Sequence, residues 1–99
     1  MSKVSVREIN PVGKRIRWCR EQVNMLMKDV APEVGIALPT LSDREGGVRA
    51  IEHEEYLALA QFFNEKWKEQ GLNRNPPIYK GTPIKKVSVL WIMFGIFEE

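Results

Sequence analysis

The chain has little of what metal sites, disulfide frameworks and most hydrolytic enzymes need. It contains one cysteine and one histidine among 99 residues. A single cysteine excludes an internal disulfide and is compatible with a reducing cytoplasm. His53 stands among glutamates with no second histidine to pair with, and Cys19 lies on an apolar stripe typical of an inert core thiol. We therefore expect no enzymatic activity, no metal and no cofactor.

Long hydrophobic runs and a strong charge of one sign are also missing. The longest apolar run, residues 89–97, is far shorter than the roughly 20 residues of a membrane span. Residues 1–10 lack the apolar centre of a secretory signal, and no glycine loop has the spacing of a phosphate cradle. We therefore expect a cytoplasmic protein with no membrane association and a single small domain.

The net charge is only +2, but it is unevenly distributed. Residues 1–50 hold nine Lys/Arg against six Asp/Glu, residues 51–72 hold two against five, and residues 73–99 hold four against two. A basic excess at both ends of the chain gives weak support for a nucleic-acid partner.

What the sequence does contain is helical periodicity. Residues 11–23 carry apolar side chains at spacings of four, three and four, which predicts an amphipathic helix beginning at Pro11 after an Asn10 cap. The residues of this stripe are Val12, Ile16, Cys19 and Val23. A second helix is predicted over about 28–34. With Asp29 as its cap, Pro32 would fall in the first turn, where proline is tolerated.

Two further helices and a C-terminal segment follow. Residues 38–45 are predicted to be helical, with Gly46 and Gly47 free to adopt the left-handed conformation at the end. Residues 51–70 form the longest predicted helix, with glutamates in its first turn, where the helix dipole favours them. A small hairpin is expected around Lys80 and Gly81. Residues 86–94 could be either a helix or a strand, because the segment is too apolar for a clear period.

The segment RIRWCREQVNMLMKDVAPEVGIALPTLSDREGG resembles the lambda repressor/Cro-type helix-turn-helix family, also called the XRE family. The similarity runs without a gap from about Arg15 to Phe63. Its matching positions are Ile16 and Cys19 in the first helix, Ala31 as the small residue, Gly35 at the turn, Leu41 and Ser42 in the recognition helix, Glu45 and Gly47 at its end, and Leu59, Ala60 and Phe63 in the next helix.

This resemblance implies an all-α, lambda repressor-like bundle of four to five helices. Residues 10–71 would be the DNA-binding domain, and residues 72–99 a C-terminal extension used for dimerisation. It also implies a transcriptional regulator, typically a repressor, that binds a palindromic operator in double-stranded DNA as a homodimer. By analogy with the family, Arg20 and Glu45 would form a partly buried ion pair.

The family register also assigns candidate DNA contacts. Base reading would fall to Leu38, Pro39, Thr40, Asp43 and Arg44, with a sideways contact to phosphate as the alternative for Arg44. Phosphate contacts would come from Lys14, Arg15, Arg17, Lys28, Ser42 and Arg49. Apolar groups can read the thymine methyl, an acid can accept from cytosine, and arginine prefers guanine. A solvated basic face is the alternative interpretation of the cationic set.

Three departures from the family pattern favour a second hypothesis. Leu26 and Met27 stand where the family usually has a polar cap and a glutamine that grips phosphate, and Ala37 replaces the usual Ser or Thr. The same scaffold could therefore have lost its phosphate contacts and bind a protein partner, such as a toxin or another regulator.

The C-terminal segment VSVLWIMFG is similar to the tail of some phage-type regulators of this family. Its aromatic residues could cap the domain's own core or form an apolar surface that pairs with a second copy, and we expect pairing. The predicted interface residues are Tyr79, Ile84, Trp91, Phe94 and Phe97.

Overall fold

The computed structural model describes residues 11–47 and 52–95. Its helices are α1 (Pro11–Gln22), α2 (Met27–Val34), α3 (Leu38–Gly46), α4 (His53–Glu69) and α5 (Val89–Phe94). Strands β1 (Ile78–Tyr79) and β2 (Thr82–Pro83) form a two-stranded antiparallel sheet. The described part of the chain is thus mostly helical, as the sequence predicts. None of its helices has the length and apolar character needed to cross a bilayer.

All five helices contribute to one hydrophobic core. The core residues are Ile16, Cys19, Val23, Val30, Ala31, Ile36, Leu41, Leu59, Ala60, Phe63, Trp67, Ile84, Val87, Trp91 and Ile92. The last four follow the long helix α4, so the C-terminal segment completes the core instead of standing apart from it. The indole nitrogen of Trp67 donates to the carbonyl of Ile84 at 2.8 Å, which ties α4 to this segment.

Helix α1 approaches the end of α3 very closely at Gly13. A Cβ atom at this position would lie 2.6 Å from the carbonyl oxygen of Arg44 and closer still to that of Glu45. Real Cβ atoms do not approach backbone oxygens this closely, so only glycine fits here. The absence of a side chain at Gly13 therefore allows α3 to lie this close to α1.

The predicted extent of α2, about residues 28–34, agrees with the structure to within one residue, but the predicted cap and the first-turn position of Pro32 were wrong. The helix begins at Met27 with Leu26 as its cap, and Asp29 acts from inside the first turn by accepting a hydrogen bond from the Leu26 N–H at 3.4 Å. Pro32 therefore lies beyond the first turn, on the exposed side of α2. Gly35 ends the helix in the left-handed conformation, with φ of 74°.

The structure of the C-terminal segment distinguishes the helix from the strand that the sequence left open for residues 86–94. The predicted hairpin is confirmed, and its turn places Lys80 and Gly81 at φ of 50° and 86°, which is the conformation of a tight hairpin turn. The segment after it is helical: the Ser88 hydroxyl accepts from the Trp91 N–H at 3.1 Å and caps α5. Gly95 closes α5 with φ of 73°.

Candidate nucleic-acid interface

Helix α3 buries one face and leaves the other open. Leu41 and Arg44 face inward, while Pro39 and Ser42 are exposed and Leu38 retains 43% of its accessible surface. The proline is the second residue of the helix, where its missing N–H has no intrahelical partner to lose. No other described part of the chain covers this open face.

Two bidentate ion pairs hold α3 against its neighbours. Arg20 of α1 donates to Glu45 at 2.7 and 3.0 Å, and its third nitrogen donates to the Met25 carbonyl at 2.9 Å. Arg44 donates to Glu55 of α4 at 2.7 and 3.1 Å. The Arg20–Glu45 pair is the one that the family resemblance implies. Sequence reasoning missed Glu55 as the partner of Arg44.

These hydrogen bonds also shift the affinity of the groups for protons. The bonds from Arg44 lower the pKa of Glu55, against the opposing effect of burial. The carboxylates raise the pKa of each arginine through the same hydrogen bonds. Both pairs are therefore stabilised in their charged forms, and together they tie the C-terminal end of α3 to α1 on one side and to α4 on the other.

Arg44 and Arg15 do not lie where the sequence predicts. Arg44 is buried and its guanidinium is occupied by Glu55, so it is not available for base reading or for phosphate. Arg15 is only 6% exposed and donates to the carbonyls of Ile92 and Met93 at 2.8 and 3.0 Å. It holds the end of α5 instead of a phosphate. Both arginines face inward because the core offers them strong acceptors.

The remaining predicted DNA contacts are spread around α3. The exposed predicted phosphate contacts are Lys14, Arg17, Lys28 and Ser42. Arg17 also forms a surface ion pair with Glu21 at 3.1 Å. Asp43 is half-buried, and Arg49 lies outside the described residues.

Thr40 lies on the same side of α3 as Arg44, toward the start of α4. It is half-buried and lines a depression that includes Glu52, Glu54 and Glu55 from the start of α4. Nearby carboxylates oppose the approach of phosphate, since like charges repel. Thr40 is therefore the weakest of the remaining base-reading candidates.

A second shallow depression joins three helices beside the exposed face of α3. Its lining residues are Arg17, Arg20, Met27, Ser42, Glu45 and Gly46. Next to it, Leu26 at the start of α2 is 58% exposed. The surface around α3 thus mixes cations with an apolar edge.

No family model, curated protein or solved structure matches this chain. Among the described residues, no group of three or more His, Cys, Asp and Glu side chains could hold a metal ion.

The predicted dimer residues divide into buried and exposed ones. Ile84 and Trp91 are buried within the chain's own core, so they are not available to a second copy and that part of the prediction was wrong. Tyr79 is half-buried and packs edge-on against Trp91, with ring centroids 5.6 Å apart. Phe94 remains 61% exposed, and Phe97 lies outside the described residues.

Sequence reasoning did not predict that Ile78 is exposed, although 64% of its surface is accessible. Its apolar character was visible in the sequence, but alternation over a two-residue strand is too short to show which side faces water.

Proposed function

We propose that the protein is a sequence-specific DNA-binding transcriptional regulator in which α2 and α3 form a helix-turn-helix. The observation that carries this proposal is the position of α3, which two ion pairs and Leu41 hold in place while its opposite face is left open. A reading helix must be held rigidly and must present free side chains to the major groove.

The open face offers chemistry that distinguishes base pairs. Leu38 and Pro39 can contact thymine methyl groups, the Ser42 hydroxyl can bond a base edge or phosphate, and Asp43 can accept from cytosine N4. Lys28 at the start of α2 supplies charge for the phosphate backbone.

A dimer accounts for the exposed apolar residues at the C-terminal end. Phe94 and Ile78 are large, apolar and exposed, and a second copy that covers them would present two α3 helices to a palindromic operator. Such a protein acts as a repressor by occupying the operator. The variant Phe94→Glu should be monomeric by light scattering with near-normal stability, whereas an unchanged mass would exclude this interface.

Binding of a protein partner is the second candidate function. Leu26 and Leu38 expose apolar surface at the start of α2 and α3, where a DNA reader of this type usually has polar side chains. An apolar docking surface loses little affinity as salt rises, whereas a DNA reader with several phosphate contacts loses affinity steeply.

The experiment that separates the two functions starts with selection from a randomised duplex pool. The enriched sequence and a scrambled control are then compared by fluorescence anisotropy across a range of salt concentrations. A DNA reader should prefer the enriched sequence and show a steep salt slope. If no sequence is enriched and all DNA is bound weakly, DNA reading is excluded and the protein-binding function is favoured.

Three variants assign the contacts. Lys28→Ala should reduce the salt slope by about 0.9, the value for one phosphate contact. Lys68→Ala makes the same charge change on the exposed side of α4 and should leave the slope unaltered. Asp43→Asn should keep the slope but lose about 1–3 kcal/mol of discrimination at one base pair.

A further inference from the structure

Arg15 is a buried cation without a carboxylate partner among the described residues. Its Nε and Nη2 atoms donate to the carbonyls of Ile92 and Met93. The ion pairs among the described residues are formed by other cations and do not include Arg15. Arg20 and Arg44, by contrast, are each paired with one carboxylate. Burial lowers the pKa of Arg15, and only neighbouring tyrosines and a cysteine oppose that effect. A buried charge in this position is stabilised by an anion that approaches its free side.

The free side of Arg15 faces a depression of about 250 Å³ at the junction of α1, the hairpin and α5. Its other lining residues are Tyr79, Lys80, Thr82, Trp91, Phe94 and Gly95. The Nη1 atom makes no hydrogen bond with a described residue. Gly95 has no side chain that could cover this atom, whereas a Cβ at position 95 would lie only 3.2 Å from Nη1.

The lining combines positive charge, hydroxyl groups and aromatic surface. Lys80 holds its ammonium 5.6 Å from the centre of the Tyr79 ring, so a second cation stands at the same depression. Among the described residues, no acidic side chain lines the depression. Trp91 and Phe94 provide apolar walls beside these polar groups.

We propose that this depression is a binding site for a carboxylate whose aromatic or apolar body lies against Trp91 and Phe94. The Arg15 Nη1 group donates to a carboxylate oxygen, the Lys80 ammonium supplies the second charge, and the Thr82 hydroxyl is a further donor. Arginine suits this role because its planar group remains charged when buried and bonds carboxylates directionally. The site shares no residue with the open face of α3, but it shares Phe94 with the proposed dimer surface.

Two sources can supply this chemistry. One is a small free carboxylate, and the other is the chain's own Glu98 or Glu99, which follow Gly95 closely in the sequence. The test therefore includes the double variant Glu98→Gln/Glu99→Gln beside the wild type.

Sodium benzoate is the probe, added against sodium chloride at constant ionic strength. Its binding is followed by ¹H–¹⁵N NMR at the Arg15 Nε–H and the Gly95 amide. Saturable shifts at both groups are expected, with benzyl alcohol, the uncharged analogue, giving none. Lys80→Ala should weaken benzoate binding about threefold, the effect of one exposed charge. Lys68→Ala removes the same charge outside the depression and should leave the affinity unchanged.

The outcomes distinguish the sources. Binding to the wild type assigns the site to a free carboxylate, and binding only to the double glutamine variant shows that the chain's own carboxylates fill it. Failure of both proteins to bind, or equal loss of affinity in Lys80→Ala and Lys68→Ala, overturns the proposal. None of these results depends on whether the protein binds DNA.

Discussion

Replacing Gly13 with alanine sets intrinsic helix propensity against tertiary packing. In an exposed helix this change stabilises by about 1 kcal/mol. In this protein the new methyl group would overlap the carbonyl oxygens of Arg44 and Glu45. Overpacking costs about 1–3 kcal/mol, and the upper part of that range applies because a helix backbone yields less than a side chain. We expect a net loss of about 1–2 kcal/mol in the free energy of unfolding.

Thermal and urea unfolding followed by circular dichroism would measure this difference. A domain of this size loses roughly 4–8 °C in Tm for each kcal/mol. Lys14→Ala, at the exposed neighbouring position, is the matched control and should change the free energy by less than about 0.5 kcal/mol. A Gly13→Ala protein with a raised Tm would refute the close approach of α1 and α3, because propensity alone would then describe the site.

Three further predictions concern the ion pairs and the core. Arg20→Met leaves Glu45 partly buried without its partner and should cost about 3 kcal/mol in urea unfolding, whereas Arg17→Met at the exposed pair should cost at most about 0.5 kcal/mol. The folded pKa of Glu55 lies below its ordinary 4.5, so its ion pair stabilises the fold above that pH and is lost as the pH falls through the folded pKa. Glu55→Gln should therefore reduce stability at neutral pH and flatten its decline in acid, as urea titrations across this pH range would show; an unchanged acid slope would exclude this role. Trp91→Ala should lower the free energy of unfolding by about 3–5 kcal/mol, since the indole is buried in the core. A loss below about 1 kcal/mol would be close to the cost at an exposed position and would show that the indole lies outside the core.

Local sequence determined most of the secondary structure. The stripe on α1, the glycines after α2 and α3, and the Lys80–Gly81 turn all act through neighbours within a few residues, so their effects could be predicted without the fold. The cap of α2 could not be predicted, because an aspartate can cap a helix either from the residue before it or from the third position of its first turn, as Asp29 does.

Only the tertiary structure determined the direction in which the long cationic side chains point. Arg15, Arg17 and Arg44 look alike in sequence, yet one holds the end of α5, one stays on the surface, and one is paired inside. Their acceptors are up to 78 positions away in the chain. An arginine can reach either water or a buried acceptor from nearly the same backbone position, so only the folded neighbours decide between them.

The role of the C-terminal segment was decided in the same way. Its apolar residues were evident, but an apolar side chain is equally suited to the chain's own core and to an interface. Trp91 became core because the hairpin returns it to Trp18, with the ring centroids 5.8 Å apart, while Phe94, three residues later, points outward. The sequence by itself determined that the segment must bury apolar surface. Only the tertiary structure determined which residues bury it within the same chain, because the hydrophobic effect is non-directional and the fold decides which surfaces meet.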